Sequence, residues 1–405
     1  MPRRFRWWQV LVLIIILVLG GGLAANWRLA RLVVASYIPP PVPAPIALPL
    51  PDKPSIVVLP FVNLSGDSSQ EYFSDGLTDD LINTLAQLPD VFVIARHSAF
   101  TYKGKAIKEQ DIGRELGVRY VLAGSVRRAD GQVRLNVQIV DATTGDHLWG
   151  EKYERPFTDI FALQDEMVEK IATTMKLQLS NWKYGGSPLR KTTDSLEAWD
   201  SVLRGQEVFW SLTSEGNLQA RRFYEKALVL DPRYALACAF LGGTYFLEWV
   251  MKWNPDPQTL ERALEYGQKA AALDFSLPEA HYLVAQVYAQ HGQIDRALTE
   301  IERAITLAPN HTDSRAVQAE ILILAGRPTE ALQSIQQAIR LSPPTPPAYL
   351  FTLGWIYLVT ERYTESIAAL KQVLVWIPLH LAVYPFQALN YVSLWGMQLT
   401  RRDEL

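Results

Sequence analysis

The chain of 405 residues shows three apolar patterns in succession. An uncharged stretch runs from Trp7 to Trp27, and short apolar runs separated by helical and turn segments then occupy residues 55–182. From residue 195 onward, apolar residues recur with the spacing of helices. The pattern predicts one apolar helix, a small mixed α/β domain and an all-helical second half, which together make an α+β fold class.

The α/β domain is predicted to run in the order β-α-β-α-β-β-β-α. Its strands are expected at residues 55–62, 91–95, 119–128, 133–141 and 147–153, and its helices at 71–88, 109–116 and 157–179. Apolar and polar residues alternate along the fourth of these strands, as a sheet with one solvated face requires. The glycine-containing segments Ala129-Asp130-Gly131 and Thr143-Thr144-Gly145 are predicted to be the turns between the last three strands.

The second half of the chain repeats itself with a shift of 34 residues. The recurring positions are Gly292, Ala297, Ala304 and Pro309, which reappear as Gly326, Ala331, Ala338 and Pro343. Small residues are needed where two helices cross closely, and proline ends a helix. The pattern resembles the tetratricopeptide repeat, a helix hairpin that stacks into an array with a binding surface.

The all-α array is predicted over residues 195–405. Its units are expected at 198–234, 235–277, 278–311, 312–346 and 347–380, with a partial unit or capping helix at 381–405. The second unit carries extra residues around Trp249 to Pro257. This insertion predicts a lengthened helix hairpin or an added loop.

A second resemblance covers residues 55–182. Five stretches occur in order: SIVVLPFVNLSGD, EYFSDGLTDDLINTL, FVIARHSAFTYKGK, ELGVRYVLAGSVRR and IVDATTGDHLWGEKYER. They resemble the TolB amino-terminal-like and FlgO-like domain of bacterial adenylate-cyclase-like and CadC-like proteins that also carry tetratricopeptide repeats. The resemblance implies a non-catalytic α/β domain. The cyclase or winged-helix module that usually precedes it is not expected, because few residues precede the apolar stretch.

Residues 1–30 are predicted to be a cytoplasmic stub and a transmembrane helix. The uncharged stretch is long enough to span a bilayer, and tryptophans stand at its two ends as interfacial aromatics do. Arg3, Arg4 and Arg6 favour a cytoplasmic N-terminus, which places the rest of this single-pass protein outside the inner membrane, in the periplasm. The alternative is a signal peptide cleaved after the small residues 22–24, which releases the chain into the periplasm.

Residues 31–54 are predicted to be a linker. Proline is frequent from Pro39 to Pro54, and this composition excludes a helix and favours a semi-rigid polyproline spacer. Such a spacer holds the α/β domain away from the membrane. The alternative is a docking site for a proline-recognising module.

The first helix of each repeat is expected to line a concave groove. The candidate partner-binding residues in it are Phe246, Tyr282, Gln286, Glu320, Phe351 and Trp355. Because they are mostly aromatic and carry little charge, an apolar helix or extended segment of a protein partner is the expected occupant. The alternative is that Phe351 and Trp355 pack against the capping helix as ordinary core residues.

Composition excludes several classes of function. The net charge of −3, without a basic run beyond the N-terminus, argues against nucleic-acid binding. Cys238 is expected to be a buried core residue, and the histidines lack metal-ligand spacing, so no catalytic residue, cofactor or metal is predicted. Asp75, Asp79 and Asp80 are interpreted as carboxylates that open a helix, where the helix dipole favours them, with a metal site as the alternative.

The sequence therefore favours a membrane-anchored protein-interaction scaffold that is not an enzyme and presents a repeat groove to an envelope or membrane protein. The alternative is the ligand-sensing ectodomain of a signalling system. In that reading the α/β domain is the sensor and the repeats relay occupancy to a membrane partner. The short cytoplasmic segment favours the scaffold, because it leaves no output domain.

Overall fold

The computed structural model describes residues 48–177, 192–254 and 256–376. Several predicted segments lie outside these ranges: the transmembrane helix, the linker up to residue 47, the end of the α/β domain and the capping helix. Within the described ranges, no helix combines the length and the apolar composition that crossing a membrane requires. The chain divides into two compact units, of which the first is Ile46–Pro346 and the second is described over residues 347–376.

The first unit begins with a mixed sheet. Its strands are β1 (Ser55–Val58), β2 (Val62–Asn63), β3 (Phe92–Val93), β4 (Tyr120–Ala129), β5 (Gln132–Asp141) and β6 (His147–Pro156). The described strands lie in the order β3-β1-β4-β5-β6, and β2 also pairs with β4. β1 is parallel to β3 and β4, and β2 is parallel to β4, whereas β4, β5 and β6 form two antiparallel hairpins.

The structure divides the predicted strand 55–62 into β1 and β2. Pro60 lies between them, and proline has no amide hydrogen to donate to a neighbouring strand. The ladder resumes at Val62, which pairs with Ser125 of β4. The apolar pattern also missed the short helix Arg96–Phe100. Five residues are too few for a helical period to show in the sequence.

Asp130 and Gly131 form the turn between β4 and β5. Both have positive backbone φ angles, 53° and 71°. A two-residue turn of this hand matches the twist of the two strands that it joins. The flanking residues Ala129 and Gln132 pair with each other, so the predicted hairpin turn is confirmed.

Four helices pack with the sheet: α1 (Glu71–Ala86), α2 (Arg96–Phe100), α3 (Glu109–Leu116) and α4 (Ile160–Thr174). On α1, Leu77, Leu81 and Leu85 are completely buried, with the helical spacing that predicted this element. On β5, Val133 and Leu135 point into the same core, while the residues between them are exposed. We call the described residues 55–177 the sheet domain.

Helices fill the described chain from residue 196 onward, and consecutive helices pair as hairpins. In the first unit they are α5 (Leu196–Phe209), α6 (Ser214–Leu230), α7 (Ala235–Met251), α8 (Thr259–Leu273), α9 (Pro278–Gln290), α10 (Ile294–Leu307), α11 (Thr312–Leu324) and α12 (Pro328–Leu341). We call α5–α12 the repeat array. The second unit contains α13 (Pro347–Val359) and α14 (Tyr363–Trp376).

The hairpin of α7 and α8 is longer than the hairpin that follows it. α7 has 17 residues, whereas α9 and α11 have 13 each. It ends at Lys252, whose positive φ of 56° is the left-handed conformation of a helix end. The insertion around Trp249 therefore extends the first helix of this hairpin and the loop behind it.

Small residues let the helices of the repeat array approach one another closely. Ala263 and Ala297 are completely buried at helix crossings. At Gly242 on α7, a β-carbon would lie 2.5 Å from the Leu283 side chain and 3.1 Å from the carbonyl oxygen of Ala263. At the adjacent Gly243 it would meet nothing within 4 Å.

These two neighbouring glycines give a matched test of the helix packing. Gly243→Ala is expected to raise the free energy of unfolding by about 0.5–1 kcal/mol, because alanine restricts the unfolded chain and favours the helix. Gly242→Ala is expected to lower it by about 1–3 kcal/mol through overpacking. Chemical denaturation of both variants measures the difference. Equal effects of the same sign would contradict the packing described here.

Candidate functional site

The six predicted groove residues lie on first helices of hairpins, and all are half-buried. Phe246 is on α7, Tyr282 and Gln286 are on α9, and Glu320 is on α11. Phe351 and Trp355 belong to α13 in the second unit. The predicted set is thus distributed over both units, and each part is described separately below.

In the first unit, Tyr282, Gln286 and Glu320 come together. Gln286 hydrogen-bonds the phenol of Tyr282, one helical turn away. Burial, together with the nearby carboxylates of Asp313 and Glu320, raises the pKa of Tyr282 well above its usual range. The ring of Tyr282 also packs edge-on against His311, with 5.4 Å between ring centroids. This part of the groove therefore offers an apolar ring, an amide and a carboxylate, and the phenol keeps its proton.

Phe246 has a separate aromatic neighbour. Its ring stacks on Trp249, with 6.5 Å between centroids. The ammonium of Lys252 lies 3.9 Å from the Trp249 ring centroid. The inserted residues of the long hairpin thus extend the aromatic surface beside Phe246.

In the second unit, Phe351 packs against the buried Leu350, Leu370 and Val373. Leu370 and Val373 are on α14, the partner helix of the same hairpin. This contact gives Phe351 a structural role within its own hairpin. Trp355 lies one turn further along α13 and is half-buried.

A contact that the sequence did not predict joins the sheet domain to the repeat array. Trp199 of α5 is buried in the core of the sheet domain, next to the rings of Phe73, Phe157 and Phe161. The nearest centroid distance is 5.3 Å, to Phe161. The Trp199 indole donates a hydrogen bond of 3.0 Å to Asp80 on α1. The first helix of the array therefore completes the core of the sheet domain.

A polar network lies beside this core. Tyr72 of α1 donates a hydrogen bond of 2.7 Å to Asp200 of α5. Arg128 of β4 donates to Asp200 at 2.6 Å, and Arg204 donates to it at 2.9 Å. Although burial opposes the effect, the hydrogen bonds from Tyr72, Arg128 and Arg204 lower the pKa of Asp200. Asp200 is therefore a charged acceptor that joins three elements.

The sheet domain also contacts the far end of the array. The Ala95 amide donates to the carbonyl of Leu341 at 2.9 Å, and Asn310 donates to the carbonyl of Leu88 at 2.9 Å. Arg340 donates to the carbonyl of Gly117 at 2.9 Å. Asn310 precedes α11 and Leu341 ends α12, so the sheet domain lies along the turns between repeats. No sequence signal marks these contacts, because most of them use backbone carbonyls.

The three aspartates on α1 do not open that helix, which corrects the sequence interpretation. α1 begins at Glu71, so Asp79 and Asp80 lie in its middle, where the helix dipole has little effect. Asp75 pairs with Lys103 at 2.7 Å, and Asp79 lies 3.3 Å from the Arg96 guanidinium. Across residues 48–177, 192–254 and 256–376, no group of histidine, cysteine, aspartate and glutamate side chains is arranged to hold a metal ion.

Burial shifts the ionisation of the two inner aspartates. It raises the pKa of Asp79 to about 6 and that of Asp80 to about 7, although Arg96 and the Trp199 indole oppose the shifts. Cys238 is completely buried, as predicted, and burial raises the pKa of its thiol. A protonated, buried thiol of this kind is a small core side chain.

The stability of the first unit is expected to fall between about pH 4 and pH 7. The folded-state pKa of Asp80, about 7, lies above the unfolded value of about 3.9. The folded state therefore holds the proton more tightly, and this contribution to stability is lost as pH rises through the folded pKa. Asp80→Asn keeps the hydrogen bond from Trp199 without the charge. In thermal melts, this variant should be more stable than the wild type at pH 8 and less dependent on pH.

The control for this experiment is Asp90→Asn, which removes an exposed carboxylate. It should leave the pH profile of the melting temperature unchanged. An Asp80→Asn profile that superimposes on the wild-type profile would show that Asp80 does not carry the pH dependence.

Two protein-family models match the helical half of the chain. The first is described as anaphase-promoting complex, cyclosome, subunit 3, and matches residues 257–338. The second is described as tetratricopeptide repeat and matches residues 317–375. Together they cover α8 to α14.

One curated relative matches more of the chain. It is "Putative adenylate cyclase 3" of Rhizobium meliloti (strain 1021), which is 41% identical over 260 residues. The match covers 64% of this chain and 44% of that protein. The chain thus spans less than half the length of this relative.

Solved tetratricopeptide structures are similar at low identity. A thermophilic protein of this type from Thermus thermophilus is 18% identical, with a TM-score of 0.38, and the match covers 48% of this chain and 99% of that one. The anaphase-promoting-complex hetero-tetramer Cut9-Hcn1 is 17% identical, with a TM-score of 0.42 over 58% of this chain and 48% of that one. The repeat assignment rests on the family models and the helix pattern. The chain carries tetratricopeptide repeats over residues 257–375.

Proposed function

We propose that the protein is a non-catalytic scaffold whose repeat array binds a segment of a protein partner through the groove at Tyr282. The observation that carries the proposal is the grouping of Tyr282, Gln286 and Glu320 on two successive first helices, where all three remain half-exposed. Repeat arrays of this kind generally bind partners rather than catalyse reactions.

The position of the sheet domain supports this site. The sheet domain packs on the turns between repeats, through Asn310 and Leu341, and on α5. The side chains of Tyr282 and Gln286 on α9 keep solvent access. A partner at Tyr282 would therefore meet a surface that is held in place by the sheet domain without being covered by it.

The chemistry of the groove indicates the kind of segment that binds. Phe246 and Tyr282 provide aromatic surface for an apolar side chain, and aromatic anchors supply much of the energy of protein interfaces. Gln286 and Glu320 provide polar groups that can bind backbone amides or a donor side chain. An apolar helix or extended segment with one or two donor groups fits this set.

The setting of this scaffold is proposed from the sequence. The apolar stretch from Trp7 to Trp27 would anchor the chain in the inner membrane, and the proline-rich linker would carry the sheet domain and the repeats into the periplasm. Release into the periplasm after signal cleavage is the alternative. We infer that the sheet domain is the TolB amino-terminal-like, FlgO-like domain, and that the relative with the cyclase name shares this module combination.

A ligand-sensing ectodomain is the second candidate function. One observation favours it: Trp199 belongs to the repeat array but lies in the core of the sheet domain. A ligand that shifts the sheet domain would therefore move the first helix of the array. In this candidate, the repeats relay occupancy to a membrane partner.

A photocrosslinking side chain placed in the groove tests the scaffold proposal in intact cells. We expect a probe at Tyr282 or Gln286 to form a discrete adduct with one protein, because both positions face the proposed partner. A probe at Val229, which is 82% exposed on α6, is the control and should form none. Equal adducts at Val229 and Tyr282, or none at either groove position, would contradict the proposal.

The same probe at Trp355 tests the second unit by itself. An adduct there would include the α13 face in the binding surface. A silent Trp355, beside a productive Tyr282, would restrict binding to the first unit and leave Phe351 and Trp355 as packing residues.

A further inference from the structure

A small cleft lies between α1 of the sheet domain and α5 of the repeat array. The lining residues that matter here are Asp75 and Asp79 from α1, Gln206, Glu207 and Trp210 from the end of α5, and Arg96. The space measures about 200 Å³, including the part open to solvent. Drug-sized ligands occupy roughly 300–1,000 Å³, so this cleft suits a single small group. We call it the α1–α5 cleft.

The charges that line the cleft leave one carboxylate without a partner. Asp75 is neutralised by Lys103 and Asp79 by Arg96. No ion pair joins Glu207 to any cation in the described part of the chain. Burial and the neighbouring Asp75 raise the pKa of Glu207, which shows that these two carboxylates are close. The cleft therefore has room, electrostatically, for one positive charge.

Gln206 provides an independent sign of a missing ligand. Its side chain lines the cleft and the residue is only 7% exposed. Its Oε1 atom is buried and accepts no hydrogen bond from any described residue. An unsatisfied buried carbonyl is unfavourable by about 1–3 kcal/mol, so an N–H donor at this point would be stabilising.

Aromatic surface and helix spacing complete the site. Trp210 is 45% exposed beside the cleft, with the Arg96 guanidinium 4.6 Å from its ring centroid. Aromatic rings of this kind also attract ligand cations. At Gly76, a β-carbon would lie 2.7 Å from the Leu203 side chain, so glycine is what lets α1 and α5 approach closely enough to form a narrow cleft.

We propose that the α1–α5 cleft binds one ammonium or guanidinium group, with Glu207 as its counter-charge and the Gln206 carbonyl oxygen as a hydrogen-bond acceptor. The group can belong to a free amine or to a lysine or arginine side chain of another protein. The cleft is distinct from the groove at Tyr282, so the proposal stands or falls independently of the scaffold function. Because both α1 and α5 line the cleft, the cation would bridge the sheet domain and the array.

Binding is tested on the full chain with methylammonium and methylguanidinium chloride as probes. Both carry N–H donors and should raise the melting temperature in a saturable way. Tetramethylammonium chloride at the same ionic strength has the charge but no N–H donor, and it should give no saturable shift. Equal shifts with all three salts, or no saturable shift with any, would overturn the proposal.

Variants assign the effect to the cleft. Glu207→Gln removes the counter-charge with little change of shape, and Gln206→Met removes the carbonyl acceptor. Each should weaken binding about tenfold, the loss expected for one charge-assisted hydrogen bond. Glu197→Gln, an exposed carboxylate on the same helix, is the matched control and should bind like the wild type. Unchanged affinity in Glu207→Gln, with an unliganded melting temperature near that of the wild type, would exclude the site.

A peptide comparison identifies the source of the cation. A capped Gly-Arg-Gly peptide that binds more tightly than methylguanidinium points to a protein side chain. Equal affinity points to a free amine or guanidine. In both cases the corresponding citrulline peptide should not bind, and binding of the citrulline peptide would contradict recognition of a cation.

Discussion

The insertion of Trp199 into the core of the sheet domain is the interaction on which the arrangement of the first unit depends. This side chain belongs to the first helix of the array, yet its ring lies among three aromatic rings of the sheet domain and its indole N–H is bonded to Asp80. Loss of such a side chain leaves a cavity that destabilises a protein by about 3–5 kcal/mol. The sheet domain and the array therefore share part of their stability.

This shared core determines which surfaces remain for binding. Contacts at α5 and at the end of α12 hold the sheet domain along the turns between repeats. The first-helix surface around Tyr282 stays half-exposed, and a narrow acidic cleft remains where α1 meets α5. The contact also buries Asp79 and Asp80, whose raised pKa values make the contact sensitive to pH.

Local spacing explains how much of the structure the sequence predicts. The 34-residue period and the alternation along β5 depend only on neighbours in the chain, and they predicted the helix hairpins and the sheet hairpins. The period also sets which side faces the same way in each unit. For that reason it selected Tyr282, Gln286 and Glu320, which the fold brings together.

The remaining features depend on contacts between distant residues. Tyr72 and Asp200 are 128 positions apart, and no periodic signal connects them. Asp79 and Asp80 resemble the acids of a helix start in the sequence, but α5 packs over them and buries them. The α1–α5 cleft has the same origin, because its lining comes from two helices that meet only in the folded chain.

Hydrogen exchange on the full chain carrying Trp199→Ala tests the coupling of the sheet domain to the array most directly. The predicted result is that amides of β4 and β5 and amides of α5 and α6 lose protection together, by a similar free energy, relative to the wild type. Val229→Ala, at an exposed position of α6, should change neither set. Loss of protection in α5 and α6 alone, with an unchanged sheet, would contradict the shared core.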